Sequence, residues 1–303
     1  MTGDRAAFDN MAWWRPWWMA ARPRTLPASL APVLMGAALA HGDGAFHGLS
    51  VIVALMGAVL IQIGTNLAND YFDFVQGADT DRRKGPVRVT QAGLIPPATV
   101  RRAAILVFAL VALPAAYAAW RGGSVFVLIA VLSVVFGVLY TGGPYPLGYM
   151  GLGDILVLLF FGPVAVGGVY YLQTLTLTPE AVVAGIGVGS LAVGLLAVNN
   201  LRDVEEDRAA GKRTLAVRFG PGFARIEYVA CVVISSLAVP LYFYGATGSR
   251  WFLLVALIGL CGGMPAAMVM HQRNDAGSLN QVLARTGKLL IVYGAAFSLA
   301  YIL

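Results

Sequence analysis

The run Leu49–Phe72 reads LSVIVALMGAVLIQIGTNLANDYF, and it decides the fold. It is long and apolar enough to cross a bilayer as a helix, which takes about 20 residues. It closes on amides and acids: Asn66, Asn69 and Asp70, then Asp73, with Asp79 further on. Charge beside a membrane span is costly and ordinarily functional. A second apolar run closes in the same way, on Asn199-Asn200-Leu201-Arg202-Asp203-Val204-Glu205-Glu206-Asp207. Each acidic stretch leads into a loop containing Gly and Arg, Gly77 to Arg88 and Gly211 to Arg218.

The rest of the chain is built from similar runs. Its 303 residues are 58% hydrophobic and 12% charged, against about 25% charged in a soluble globular protein. Nine spans are predicted: 26–41, 49–72, 99–119, 124–141, 152–172, 181–201, 225–245, 251–270 and 285–302. The fold class is therefore all-α, a polytopic membrane bundle. Gly185, Gly189 and Ala192 are small enough to let helices approach closely. Residues 1–25, with Trp13, Trp14, Trp17 and Trp18 among arginines, read as an interfacial segment at the headgroups. Residues 26–303 read as a single transmembrane domain. Cys231 and Cys261 lie in apolar runs, so no disulfide framework is expected.

The cations fix an orientation. With the N-terminus in the cytoplasm, four Arg precede the first span. Six Lys or Arg lie between the second and third, six between the sixth and seventh, and three between the eighth and ninth. That is nineteen of 21, with only Arg121 and Arg250 outside. This is the positive-inside pattern. It accounts for the net charge of +6 without a nucleic-acid partner. Both acidic stretches then face the cytoplasm.

On a helix, residues three and four apart share a face. Asn66, Asn69 or Asp70, and Asp73 form one such stripe. Asp203 and Asp207 form another, with Asn199 a turn earlier, while Glu205 and Glu206 turn elsewhere. A lone Asn-Asp pair at a span end is ordinarily just a polar boundary. Two such clusters on one membrane face are more than that. Carboxylate and amide oxygens are hard ligands, and Mg²⁺ prefers one or two carboxylates plus substrate phosphate. Two helices can thus hold Mg²⁺ around a diphosphate, with Lys84, Arg88, Lys212 and Arg213 neutralising the remaining charge. Metal-neutralised diphosphate is a good leaving group. An allylic diphosphate would ionise to a cation that needs a dry, π-rich pocket, for which Tyr71, Phe72, Tyr140, Tyr145, Phe160 and Phe161 are candidates. A transporter of a cation or organic anion is the rival of a different class. Such pathways usually carry polar groups near the midplane, and here the acids gather at one face.

Asn69-Asp70-x-x-Asp73 with Asp79, together with Asp203-x-x-x-Asp207, resembles the UbiA superfamily of intramembrane aromatic prenyltransferases. The commonest superfamily spacing puts a third acid at the place held here by Gly77; in this chain the acid is Asp79. That form is similar to the 1,4-dihydroxy-2-naphthoate polyprenyltransferases of menaquinone synthesis. Ala21–Pro27, Gly85–Gly93, Tyr140–Pro144 and Gly211–Leu215 agree with them.

The resemblance implies a helical bundle around a central cavity in a bacterial cytoplasmic (inner) membrane. It implies Mg²⁺-dependent transfer of a polyprenyl group from polyprenyl diphosphate to 1,4-dihydroxy-2-naphthoate, with loss of CO₂, giving demethylmenaquinone. Another acceptor, such as 4-hydroxybenzoate or homogentisate, is the nearest alternative. Carried over by position, Asn69, Asp73, Asp79, Asp203 and Asp207 would bind metal. Asp70, Asp73, Asp203 and Asp207 are the expected catalytic acids. Asn66, Lys84, Arg88, Tyr140, Asn199, Lys212 and Arg213 are expected at the substrate. Asp154 matches an acidic position of this branch near the start of the fifth span. No histidine is evident as a base, since His41 and His47 lie outside and His271 is in a different loop.

Overall fold

A computed structural model describes residues 11–78 and 85–303. Among these residues every regular element is helical. In chain order they are α1 (Arg15–Ala21), a 3₁₀ turn (Pro23–Thr25), α2 (Pro27–Gly42), α3 (Gly48–Val75), α4 (Pro97–Gly122), α5 (Val125–Leu139) and α6 (Gly153–Thr174). They continue with α7 (Pro179–Arg202), α8 (Val204–Ala209), α9 (Leu215–Phe219), α10 (Pro221–Thr247), α11 (Trp251–Gln272) and α12 (Ala276–Ile302).

Seven of these helices, α3, α4, α6, α7, α10, α11 and α12, are long and apolar enough to cross a membrane. The pair Arg15–Thr25 and Pro27–Gly42, bent by 52°, makes an eighth. The chain is a multi-pass membrane protein. The fourth expected span, 124–141, corresponds to α5, whose 15 residues reach about 22 Å at 1.5 Å per residue. It is shorter than a hydrocarbon core of about 30 Å. Yet it returns the chain from the far end of α4, where Arg121 donates to Leu172 O, to Thr141 beside Asn69. The acidic ends of α3 and α7 therefore lie on one side. The last helix starts nine residues before the expected 285, at Ala276. The Asp275 side chain caps it by accepting from Ser278 N at 2.8 Å, a polar start that hydropathy alone does not reveal.

Proline shapes the long helices. Pro114 interrupts α4 near Val111, where its ring opposes the carbonyl of residue 110. Pro163 breaks α6 after Gly162. A π-turn at Ile234–Ala238 precedes Pro240 in α10, a common way for a helix to absorb a missing N–H. The break in α6 is also a contact point. A Cβ on Gly185 would lie 2.6 Å from Pro163 Cα, and one on Gly189 2.7 Å from Leu158 O. Only glycine lets α7 lie this close to α6.

The last helices complete the core. Phe243, Phe252, Leu290, Tyr293 and Phe297 are buried with Met35, Leu39 and Val188 in one cluster. Thus α10, α11 and α12 close against α2 and α7. A second cluster, around Leu201, Ala216, Tyr228, Met270 and Leu279, supports the C-terminal end of α7. A third, around Ala20, Leu67, Ala68, Val89 and Ile95, ties α1 and the turn before α4 to the C-terminal end of α3. At its 28 residues, α3 is about 42 Å long. It is therefore longer than a hydrocarbon core of about 30 Å.

Candidate active site

The first motif is built on the last turns of α3. Asp73 is 2% exposed and is a hub. Arg88 Nη2 donates to its Oδ2 at 2.9 Å, and the Tyr149 hydroxyl donates to its Oδ1 at 2.7 Å. Lys212 Nζ lies 3.5 Å from the same Oδ1. One turn earlier, Asn69 Oδ1 accepts from the Thr141 hydroxyl at 2.8 Å.

The second motif meets the first through Lys212. The helix changes course at Asp203, which caps α7 and begins α8. This carries Asp207 toward the first motif, where its carboxylate lies 3.6 Å from Lys212 Nζ. Asp73 and Asp207, 134 positions apart in sequence, thus share one ammonium. Burial pushes the Asp207 carboxyl up to about 6, against the downward pull of Lys212 and with a further upward push from Asp203. Asp207 therefore loses charge as pH falls through about 6, and oxygen ligands must be charged to hold a cation. Divalent-cation affinity measured by calorimetry is expected to weaken between pH 7.5 and 5.5.

Other expected residues take different positions. Asp70, expected among the catalytic acids, is occupied structurally. Its carboxylate accepts from Val89 N at 3.2 Å, Thr90 N at 3.1 Å and the Thr90 hydroxyl. It pins the turn that carries Arg88. Asn66 donates to Ala21 O at 2.9 Å and to the Thr25 hydroxyl at 3.0 Å, anchoring the N-terminal segment while still lining the cavity. Asp203 is gripped by both arms of Arg202 at 2.6 Å. Arg202 also reaches Asn280 at 2.7 Å. The Arg213 side chain is exposed, and its backbone N–H donates to Tyr149 O at 2.7 Å. Asp79 and Lys84 lie outside the described residues. Glu205 is exposed and pairs with Arg208 at 3.3 Å. Asp154 is buried at the start of α6, and its Oδ1 has no hydrogen-bond partner.

Below the carboxylates lies a cavity of about 390 Å³. Asn66, Asn69, Tyr140 and Asn199 form its polar end, and Phe136, Phe160 and Phe161 lie among its apolar walls. Phe136 and Phe160 meet edge to face at 5.6 Å. Tyr71 and Phe72 do not line it; they pack in the cluster between α3 and α4. Tyr145 is exposed. Among the described residues Arg22 is the one charged member of the lining. Its backbone is left-handed, with φ of 52°, an unusual conformation for a residue with a Cβ. Its carbonyl accepts from Thr25 N and the Thr25 hydroxyl, each at 2.9 Å.

The donors suit a hard divalent cation shared with a polyanion. Lys212 acts as a stand-in, showing that carboxylates from both motifs converge on one positive charge. Among the described residues no group of three or more His, Cys, Asp or Glu forms a metal cage. One or two carboxylates completed by phosphate oxygens is the pattern Mg²⁺ favours. Sequence spacing missed Tyr149, Thr141, Thr90 and Arg22, whose contacts depend on distant segments meeting.

This fold, with buried acids beside an apolar cavity, suits an amphiphile with an anionic head. Residues 29–289 match the UbiA prenyltransferase family, and the chain belongs to that family. It is a prenyltransferase. It is 36% identical to the 1,4-dihydroxy-2-naphthoate octaprenyltransferase of Haemophilus influenzae, over 95% of this chain and 96% of that protein. It is 38% identical to the protein of the same name from Escherichia coli strain K12, over 95% of each. Its fold is similar to that of a UbiA homologue from Archaeoglobus fulgidus solved with GPP and Mg²⁺, at TM-score 0.69 and 17% identity, over 95% of this chain and 99% of that one.

Proposed function

We propose that this protein transfers a polyprenyl group from polyprenyl diphosphate to 1,4-dihydroxy-2-naphthoate, releasing diphosphate and CO₂ and forming demethylmenaquinol, the hydroquinone form of demethylmenaquinone. The observation that carries the reading is the convergence of Asp73 and Asp207 on one cation, one helical turn from Asn69 at the polar end of an apolar cavity. The names of its relatives supply the acceptor.

Asn69, Asp73, Asp203 and Asp207 would hold Mg²⁺, which when bound supplies Lewis-acid neutralisation of the departing diphosphate. Asp79 and Lys84 join this set by sequence position alone. Arg88 and Lys212 add fixed positive charge where diphosphate charge grows. Asp203 is engaged to Arg202 in the described geometry, so its part requires the guanidinium to give way. The apolar walls take the prenyl tail and keep water from the allylic cation. The faces of Tyr140 and Phe160 stabilise that cation through their π-electrons. The electron-rich naphthoate ring then attacks, and loss of CO₂ and a proton restores aromaticity. Arg22, held in its strained conformation, suits the carboxylate of the acceptor.

The site and residues 11–25 would face the cytoplasm of a bacterium, with Trp13, Trp14 and Trp18, all exposed, lying at the headgroups. The test is an acceptor panel. Purified protein with Mg²⁺ and a polyprenyl diphosphate is offered 1,4-dihydroxy-2-naphthoate, 4-hydroxybenzoate and homogentisate, and products are identified by mass. A prenylated, decarboxylated naphthoquinol is expected. Product from 4-hydroxybenzoate alone would move the protein to a different acceptor, and no product with any acceptor would end the reading.

A further inference from the structure

Tyr149 occupies an unusual position between the two acidic motifs. It lies in the segment between α5 and α6. Its hydroxyl donates to Asp73 Oδ1 at 2.7 Å. The Lys212 ammonium stands 4.6 Å from the centre of its ring, within cation–π range. The same ammonium faces Asp73 and Asp207. The Tyr149 carbonyl accepts from Arg213 N at 2.7 Å. Its neighbour Met150 accepts from Arg218 Nη2 at 2.7 Å.

The crossing is tight at backbone level. Gly151 has φ of 76°, and a Cβ there would lie 2.8 Å from Arg213 O. The loop after the second motif therefore fixes the Tyr149 backbone, while its side chain acts on a carboxylate of the first motif. Thr141, in the same segment, orients Asn69, and Gln76 returns a bond to Thr141 O at 2.9 Å. Beside the direct bridge of Lys212 to Asp73 and Asp207, this segment thus supplies a second tie between the motifs, in which Tyr149 touches both Asp73 and Lys212.

We propose that Tyr149 is a positioning residue that couples the two acidic motifs, its hydroxyl aiming Asp73 and its ring holding Lys212 between Asp73 and Asp207. The inference rests on the diphosphate-binding reading above. A hydrogen bond that orients a ligand carboxylate typically contributes 10- to 100-fold in cation affinity. The hydroxyl and the ring act on different groups, so their effects are separable by substitution.

The experiment is calorimetric titration of detergent-purified protein with Mg²⁺ in the presence of inorganic pyrophosphate, paired with thermal unfolding and with KM and kcat for the prenyl diphosphate. Tyr149→Phe is expected to weaken Mg²⁺ binding about tenfold while keeping the wild-type unfolding temperature. Tyr149→Leu is expected to weaken pyrophosphate binding further and to raise KM for the prenyl diphosphate more than it lowers kcat. In a Lys212→Met background, Tyr149→Leu and Tyr149→Phe should then bind alike, because the ring has no cation left to hold. Wild-type Mg²⁺ affinity in Tyr149→Phe would overturn the coupling role while leaving the diphosphate site standing. A wild-type protein that binds no Mg²⁺ with pyrophosphate would overturn both.

Discussion

Replacing Asp73 with alanine is expected to reduce turnover about a thousandfold, the scale seen when one preorganised charge-stabilising group is lost from an active site. Three donors converge on this carboxylate: Arg88, Tyr149 and Lys212. The Arg88 and Asp73 side chains are 7% and 3% exposed. Removing one partner of a buried pair leaves the other charge uncompensated, which costs roughly 3–5 kcal/mol. Asp73→Ala is therefore expected to lower the unfolding temperature as well. Asp73→Asn retains an acceptor for Tyr149 and should be the more stable of the two, yet equally inactive. Glu205→Ala is the contrast. Glu205 is solvent-exposed with a single surface partner, an arrangement worth little. It should keep wild-type turnover, and a loss there equal to that of Asp73→Ala would show that the two faces of the acidic motifs are wrongly assigned.

Asp70→Ala should fail differently, by unfolding the site rather than by disarming it. Its carboxylate is 1% exposed and satisfies Val89 N, Thr90 N and the Thr90 hydroxyl. Leaving a buried donor unpaired costs about 1–3 kcal/mol, so losing these partners together approaches the whole stability of a typical domain, about 5–15 kcal/mol. The turn they hold carries Arg88 into Asp73. A marked fall in unfolding temperature is expected, together with inactivity. Thr90→Val, which removes one donor and keeps the shape, should lie midway in both. An Asp70→Ala protein with wild-type thermal stability and no turnover would instead make Asp70 a catalytic acid, as its place in the motif first implied.

These two neighbours show what could be read in the chain. The spans were legible because apolar runs and cations carry their own one-dimensional signal. Asn69, Asp73 and Asp207 were legible because residues four apart on a helix must share a face. Asp70 was not, because its partners lie in the turn after α3, 19 and 20 residues on, and nothing in the spacing shows that the turn folds back. Tyr149 was further out of reach, since its contact with Asp73 spans 76 residues. Arg202 stands next to Asp203 in sequence, yet adjacent residues on a helix do not face each other. Their pairing depends on the helix ending at Asp203. The same limit applies to the aromatics. Tyr140 and Phe160 line the cavity while Tyr71 and Phe72 pack between helices, a distinction set by helix rotation rather than by composition.

The central claim is that the two acidic motifs make one cation–diphosphate site. A double-substitution cycle tests it directly, by calorimetric titration of Mg²⁺ with pyrophosphate into wild type, Asp73→Asn, Asp207→Asn and the double variant. If Asp73 and Asp207 serve one site, each single change should remove most of the binding and the double change should cost little more than either. Losses that simply add, as they do for distant independent positions, would mean that the motifs bind separately and would contradict the shared site.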